Sequence, residues 1–575
     1  MVSRQASILA RSGALSLILA ACAAHKTAIA PRVWLTNDAP GFYPELDDPA
    51  LGAPRLDGFR AREDSFGVAF SGGGTRSASA TLGQLRALHL LGWDGAIDYI
   101  AAVSGGSWAS VPYVFRDRAR FPDARFLSLD AYRPPERLDD DTLGAVQPGT
   151  LAQAIQDSRL LGGILGGAIR GRGDESWANA VSRVFLAPFG LDEPRLFTLN
   201  TATRDAIIDA SGPAAGLSAD DFYTADPESP FLVVGGVVLK QHRGAGMDRD
   251  AASVYPFVMT PLYVGVPTRM DIFAHDALRY GGGFIEAAGY DTYPPAPEAL
   301  GGERVPVTIR SERLRFTLAD VIGVSSSAPQ RAITGGARGV TLGASVTAGF
   351  PEHHHWSLAT GQSALDGRDV AHGDGGVLDN TGLLSLLARG TKNVLVFHNT
   401  NEPIDPSLGS DLSAAEAGRI TDHLSPDLLH YFRRSESHPY NQLFDDADLV
   451  ALYSRFAEQA KRGDGVLVYC DSYDFPVNYW HGVPAGSANI CWVSLNDSTT
   501  WRGLLPESGG RDLQALKARR GEFVNFPNYK TVSPAGKGIS AVDLSAAQVN
   551  ALSLYTTWSL LRVQNTIREG LEVPL

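Results

Sequence analysis

Residues 65–115 hold two short, mainly apolar stretches, SFGVAF (65–70) and IDYIAAV (97–103), with one helical pattern between them. The helix is read from SASATLGQLRALHLLG (77–92), where Leu82, Leu85, Leu88 and Leu91 recur at the spacing of one helix face. Strands this apolar on both faces are covered on both sides, as in parallel sheets. A single intervening helix is the crossover that two parallel strands require. A further helix can start in SWASVPYVF, directly after the second strand. The unit therefore predicts an α/β fold: a mainly parallel sheet flanked by helices.

Each strand ends in a glycine-rich turn. The first runs into Ser71, Gly72, Gly73, Gly74, Thr75 and Arg76. Such a loop can cradle a phosphate, bend around a dinucleotide or stabilise an oxyanion. A P-loop would need a Lys after its last glycine, and none follows here. A dinucleotide fingerprint would need glycine at Ser77.

The second turn is AAVSGGSW, with Ser104 between a strand and a helix. A small-x-Ser-x-Gly turn in that place holds a serine hydroxyl exposed on a tight bend, as a nucleophile elbow does. Ala102 occupies the first small position, where glycine is usual. Taken alone, the segment is also an ordinary Gly-Ser turn. Both turns fall at the C-terminal ends of neighbouring strands, the edge on which open α/β sheets build their sites. Glycine N–H groups beside a serine can point at the charge developing on a carbonyl oxygen. A third segment, HGDGGVLDNTG (372–382), puts Asp374 in a tight loop before a helix. By itself an Asp-Gly-Gly is a turn; within hydrogen-bond reach of a serine it can act as the base.

In order and wording, SGGGTR, VSGGSW and DGG resemble the patatin-like, group IV (cytosolic-type) phospholipase A2 and phospholipase B family of acyl hydrolases. The Arg after the glycines and the Ser-Trp after the elbow are closer to the cytosolic-type and phospholipase B branch. The resemblance implies a Ser-Asp dyad without a catalytic histidine, on a patatin-related α/β fold with cap insertions and a C-terminal extension. It implies hydrolysis of phospholipid or lysophospholipid acyl esters through an acyl-serine, with no cofactor and no metal. Ser104 would be the nucleophile and Asp374 the base. The N–H groups of Gly73 and Gly74, with Gly105, would form the oxyanion hole. Arg76 would contact the substrate phosphate, for which its guanidinium is suited; the alternative is a structural ion pair. The stretch from about 61 to 400 fits the family's order, with an insertion at about 118–310. Residues 401–575 are the rest of the catalytic domain or an extension.

The N-terminus reads as a targeting segment. Arg4 and Arg11 precede an apolar run, Ala14 to Ala21, too short to span a bilayer. Residues 1–21 are thus expected to be a signal peptide. Leu19-Ala20-Ala21-Cys22 resembles a bacterial lipobox, in which Cys22 would be acylated; the alternative is an ordinary signal cleaved nearby. Ala23 rather than Asp after the cysteine resembles an outer-membrane sorting signal. The expected location is the outer membrane or periplasm, with the lipid as membrane tether. Residues 22–60, rich in Pro, Ala and Asp, read as tether and irregular lead-in.

The chain beyond residue 21 is longer than the roughly 250–300 residues at which one core stops growing, so a catalytic domain with a cap or extension is expected. A net charge of −13 argues against general capture of nucleic acid or anionic lipid. Cys470 and Cys491 are separated by a hairpin-sized loop and could be a disulfide in an exported protein or two buried thiols. The glycine-rich LLGGILGGAIRGRG (160–173) could be a lipid-touching flap or a buried turn. EHHHW (352–356) reads as a solvated loop rather than a metal site, and Asp139, Asp140 and Asp141 as a solvated turn. His398 keeps open a Ser-Asp-His triad esterase, and a non-catalytic surface lipoprotein retaining the fold is a third possibility. A final helix is expected to start at an N-cap on Ser545 and stop at Gly570.

Overall fold

A computed structural model describes residues 28–36, 40–48, 51, 56–159, 161, 177–239, 254–268, 280–301, 303–310, 315–327, 351–358, 367–435, 438–530 and 544–574. The signal segment, Cys22 and nearly all of the glycine-rich stretch 160–173 lie outside them.

Twelve strands form the main sheet. In chain order they are β1 (Val33–Leu35), β2 (Phe66–Phe70), β3 (Tyr99–Val103), β4 (Phe231–Leu239), β5 (Val254–Met259), β6 (Tyr263–Val266), β7 (Gly283–Glu286), β8 (Glu352–His355), β9 (Arg368–Asp374), β10 (Asn393–His398), β11 (Leu467–Phe475) and β12 (Gly486–Ser494). The centre is parallel, in the order β12-β10-β2-β3-β4. Strands β2 and β3, the two read from the sequence, lie side by side within it, and every one of their residues is buried. The flanks are antiparallel: β11 closes one edge, and β5, β6, β7 and β1 extend the other. The fold is α/β, with a mixed sheet whose parallel core is flanked by helices. One sheet thus takes strands from the lead-in, the insertion and the C-terminal part alike.

The flanking helices include α1 (Gly74–Leu90), α2 (Gly105–Phe115), α3 (Leu318–Ser325), α4 (Pro426–Phe432), α5 (Asp446–Arg462) and α6 (Ala546–Gly570). The lead-in is ordered where described. The Glu45 carboxylate meets Arg389 at 2.8 Å with both side chains fully buried, and Arg389 also bonds the Tyr263 hydroxyl. Helix α6 starts at the expected Ser545 cap, whose side chain accepts from Gln548 N–H. It lies along α1 at backbone contact: Thr556 and Thr557 donate to the carbonyls of Ala80 and Gly83, and a Cβ on Gly83 would sit 2.1 Å from the Ser553 carbonyl oxygen. Gly570 is the last residue of α6 and presses on Cys470. Cys470 and Cys491 are joined as a disulfide between directly opposed positions of β11 and β12. Among the described residues no helix is long and apolar enough to cross a membrane.

The topology contains one break that matters. Residues 231–235 of β4 pair with parallel β3, and residues 236–238 pair on the same side with antiparallel β9. Strands β3 and β9 therefore meet tip to tip along one edge of β4. The last residue of β3, Val103, faces Gly235, and the last residue of β9, Asp374, faces Gly236. Ser104 follows Val103 directly, so the sheet register itself brings residues 104 and 374 together.

Candidate active site

Ser104 occupies a sharp bend, with φ 50° and ψ −121°. A non-glycine residue at positive φ is strained and persists only where its surroundings hold it. The holding groups are visible. The Ser104 N–H donates to Ser325 Oγ at 2.9 Å, and Ser325 Oγ donates to the Gly235 carbonyl at 2.7 Å. The Ser104 carbonyl accepts from Ser107 N–H and Ser107 Oγ. Ser325 ends α3 and thus pins the bend to the point on β4 where β3 gives way to β9.

The Ser104 hydroxyl donates to Asp374 Oδ2 at 2.9 Å. The other carboxylate oxygen, Oδ1, accepts from Gly376 N–H at 2.7 Å, which fixes the plane of the carboxylate. Both side chains are buried. A hydroxyl bonded directly to a carboxylate can lose its proton to it as the oxygen attacks a carbon.

The glycine loop lies against this pair. Gly73 and Gly74 have φ of 138° and 59°, in the region that favours glycine. Gly74 begins α1 and Gly105 begins α2, and first-turn N–H groups have no acceptor within their own helix. Among the described residues the Gly73, Gly74 and Gly105 N–H groups are not taken up elsewhere. The two helix starts touch: a Cβ on Gly105 would sit 2.1 Å from the Gly74 carbonyl oxygen and 2.7 Å from its nitrogen. Two helix starts thus meet beside the serine, and N–H groups at such positive ends can stabilise an oxyanion.

Behind the loop is a buried polar network that sequence reasoning missed. Asn399, one residue past β10, is its hub. Its N–H donates to Ser71 Oγ at 2.8 Å, its carboxamide oxygen accepts from Gln84 at 2.7 Å, and its Nδ2 reaches Ser77 Oγ at 3.2 Å. Arg76 is tied to the same residue, donating from Nε to the Asn399 carbonyl at 2.9 Å and from Nη1 to the Tyr529 carbonyl. Its third nitrogen, Nη2, packs on Gly73. Burial brings the Arg76 guanidinium down to about 10, against the opposing pull of Asp427 and Glu402, so it stays a cation at neutral pH.

His398 stands at the end of β10, with Nδ1 against Ser494 Oγ at 2.9 Å. Burial, with the Arg76 charge second, pushes it down to about 3. The Ser104 hydroxyl reaches its carboxylate without a histidine between them. His372, two residues before Asp374, meets the Tyr290 hydroxyl at 2.7 Å.

Two expectations away from the site are corrected. EHHHW is not a solvated loop: Glu352–His355 form β8, and strand alternation buries His353 and His355 while His354 bonds Asp369. The triple aspartate is solvated, with Asp139 and Asp141 exposed, but it opens a helix rather than a turn. Asp139 caps the helix Asp140–Gly144, and Asp140 caps a second helix by accepting from the Asp512 and Leu513 N–H groups. Among the described residues no cluster of His, Cys, Asp and Glu is arranged to hold a metal.

No protein-family model and no curated protein sequence matches the chain. Among solved structures it is similar to human GIVD cytosolic phospholipase A2, with a TM-score of 0.41 and 14% identity over 90% of this chain and 62% of that one. The same human protein in complex with methyl gamma-linolenyl fluorophosphonate gives a TM-score of 0.37 and 13% identity, over 90% of this chain and 61% of that one. The chain thus spans less than two thirds of the length of the human protein.

Proposed function

We propose that the protein is a serine acyl hydrolase acting on phospholipids or lysophospholipids, with Ser104 as nucleophile and Asp374 as base. The observation that carries this reading is the 2.9 Å hydrogen bond from the Ser104 hydroxyl to the Asp374 carboxylate. In the first half-reaction Ser104 Oγ bonds to the ester carbonyl carbon while its proton passes to Asp374 Oδ2. The carbonyl oxygen becomes an oxyanion held by the N–H groups of Gly73, Gly74 and Gly105. Collapse breaks the carbon–oxygen bond to the leaving alcohol, which takes the proton from Asp374. In the second, water gives a proton to Asp374 and its oxygen bonds to the acyl carbon. Ser104 then leaves and recovers that proton, releasing the fatty acid.

Arg76 supports a phosphate-bearing substrate by its charge: it is a buried cation directly behind the glycine loop, with Nη2 against Gly73, and its field favours an anion on the other side of that loop. The pattern of Arg4, the apolar run and Cys22 supports export and lipid anchoring at an outer membrane. The decisive experiment is Ser104→Ala, assayed on phospholipid vesicles and with a fluorophosphonate probe. Loss of both hydrolysis and labelling is expected, and hydrolysis at the wild-type rate would refute the reading. For the anchor, Cys22→Ser is expected to abolish metabolic palmitate labelling, and retained labelling would refute it.

A further inference from the structure

The two half-reactions leave the attacking water unheld, and Asn380 stands where it must be held. Its main-chain carbonyl accepts from Gly72 N–H at 2.9 Å, tying the Asp-Gly-Gly segment to the glycine loop. Its carboxamide nitrogen donates to Asp427 Oδ2 at 2.6 Å. A carboxylate only accepts, so the nitrogen faces Asp427 and the oxygen faces the other way. That oxygen lies on two glycines of the site. A Cβ on Gly72 would be 2.2 Å from Asn380 Oδ1 and 3.0 Å from Ser104 Cβ. A Cβ on Gly376 would be 2.5 Å from the same oxygen and 3.0 Å from Asp374 Oδ1. Asn380 Oδ1 is therefore within two hydrogen-bond lengths of Ser104 Cβ and of Asp374 Oδ1, the span that one water bridges. Asn380 is half-exposed, so water has access to it.

We propose that Asn380 Oδ1 accepts one hydrogen of the water that cleaves acyl-Ser104 while Asp374 takes the other, and that Asp427 is a positioning residue that turns this oxygen toward the site. The inference rests on the acyl-serine reading above. A water has two hydrogens; anchoring both to fixed acceptors leaves a lone pair directed at the acyl carbon. The first half-reaction has no such need, because its nucleophile is already attached to the protein. Asn380 thus acts on one half of the cycle only.

The test separates the halves with a p-nitrophenyl ester, by stopped flow and intact-mass detection of the acyl-enzyme. Asn380→Ala is expected to keep the acylation and fluorophosphonate labelling rates within about twofold, and to lengthen the acyl-enzyme lifetime about 30-fold. Hydroxylamine, a stronger nucleophile, is expected to restore most of the turnover. Asp427→Asn, which lets the carboxamide turn, is expected to slow the same phase alone by about fivefold, and it carries the test if Asn380→Ala does not fold. An unchanged acyl-enzyme lifetime, or acylation and deacylation falling in parallel, would overturn the proposal. Ser104→Ala tests the underlying reading separately: acyl-enzyme still forming in that variant would overturn the nucleophile assignment itself.

Discussion

Ser104 and Asp374 are joined by a 2.9 Å hydrogen bond although 270 residues separate them in the chain. Two strands that abut on β4 place them there, and no intervening histidine is needed. Asp374→Asn keeps the shape of the carboxylate and removes its capacity to take a proton. The expected result is a fall in kcat of about 10³-fold or more with KM changed little. A variant with kcat near wild type would require another base.

His398 offers the contrasting case. Its ring is committed to Ser494 and held neutral. His398→Ala is expected to keep esterase turnover within about threefold, measured on protein whose melting transition shows it is folded. Collapse of kcat with the fold intact would restore the triad.

Gly105 is fixed by contact. A methyl group there would overlap the Gly74 peptide, so Gly105→Ala must push the two helix starts apart. We expect a loss of about 10²-fold in kcat, together with slower fluorophosphonate labelling, since the proposed oxyanion site uses the same N–H groups for both. Wild-type labelling in this variant would exclude them.

Ser325 supports the bend at Ser104. Ser325→Ala leaves the buried Ser104 N–H without its acceptor, at a cost of about 1–3 kcal/mol. Part should appear as a lower urea midpoint and part as a kcat reduced about tenfold. Neither change would mean that the bond bears no load.

Buried histidines set the response to acid. Burial pushes His355 down to about 4 and His481 and His398 to about 3, and keeps His372 and His430 well below the usual histidine range. In the unfolded chain each titrates near 6.5. Below that pH the unfolded chain binds protons that the folded one refuses, so stability is full above about 6.5 and is lost as pH falls toward about 4, with up to about 1.4 kcal/mol per pH unit from each ring. His353 acts in the opposite sense: burial pulls it down, but Asp291 and Asp320 raise it overall, so its contribution is present at low pH and is lost as pH rises through its raised value. His89 is also raised, by its hydrogen bond to Asp94; with five rings against two, urea midpoints should fall between about pH 7.5 and pH 5. A flat or rising midpoint would contradict this.

The strands and helices around Ser104 were legible because β2, α1 and β3 are continuous in sequence and buried, and burial writes itself as apolar runs. The Cys470–Cys491 pairing was half legible: the separation suited a hairpin, but only strand register brings the two cysteines opposite each other. Ser325, Asn380, Asn399 and Asp427 left no readable signal. Each is a common polar residue in a turn or at an element end, and its role comes from partners far away in the chain. The histidines of β8 misled for a related reason. Three polar neighbours look solvated until a strand turns two of them inward against a tyrosine and a third histidine.

The packing of α6 on α1 has a consequence in time. Translation delivers Ser104 early, its carboxylate partner some way behind, and the helix that backs the glycine loop later still. Until residues 546–570 have left the ribosome, α1 has nothing to lie against along its Gly83 face. The glycine loop beside Ser104 is therefore backed only once residues 546–570 have been made.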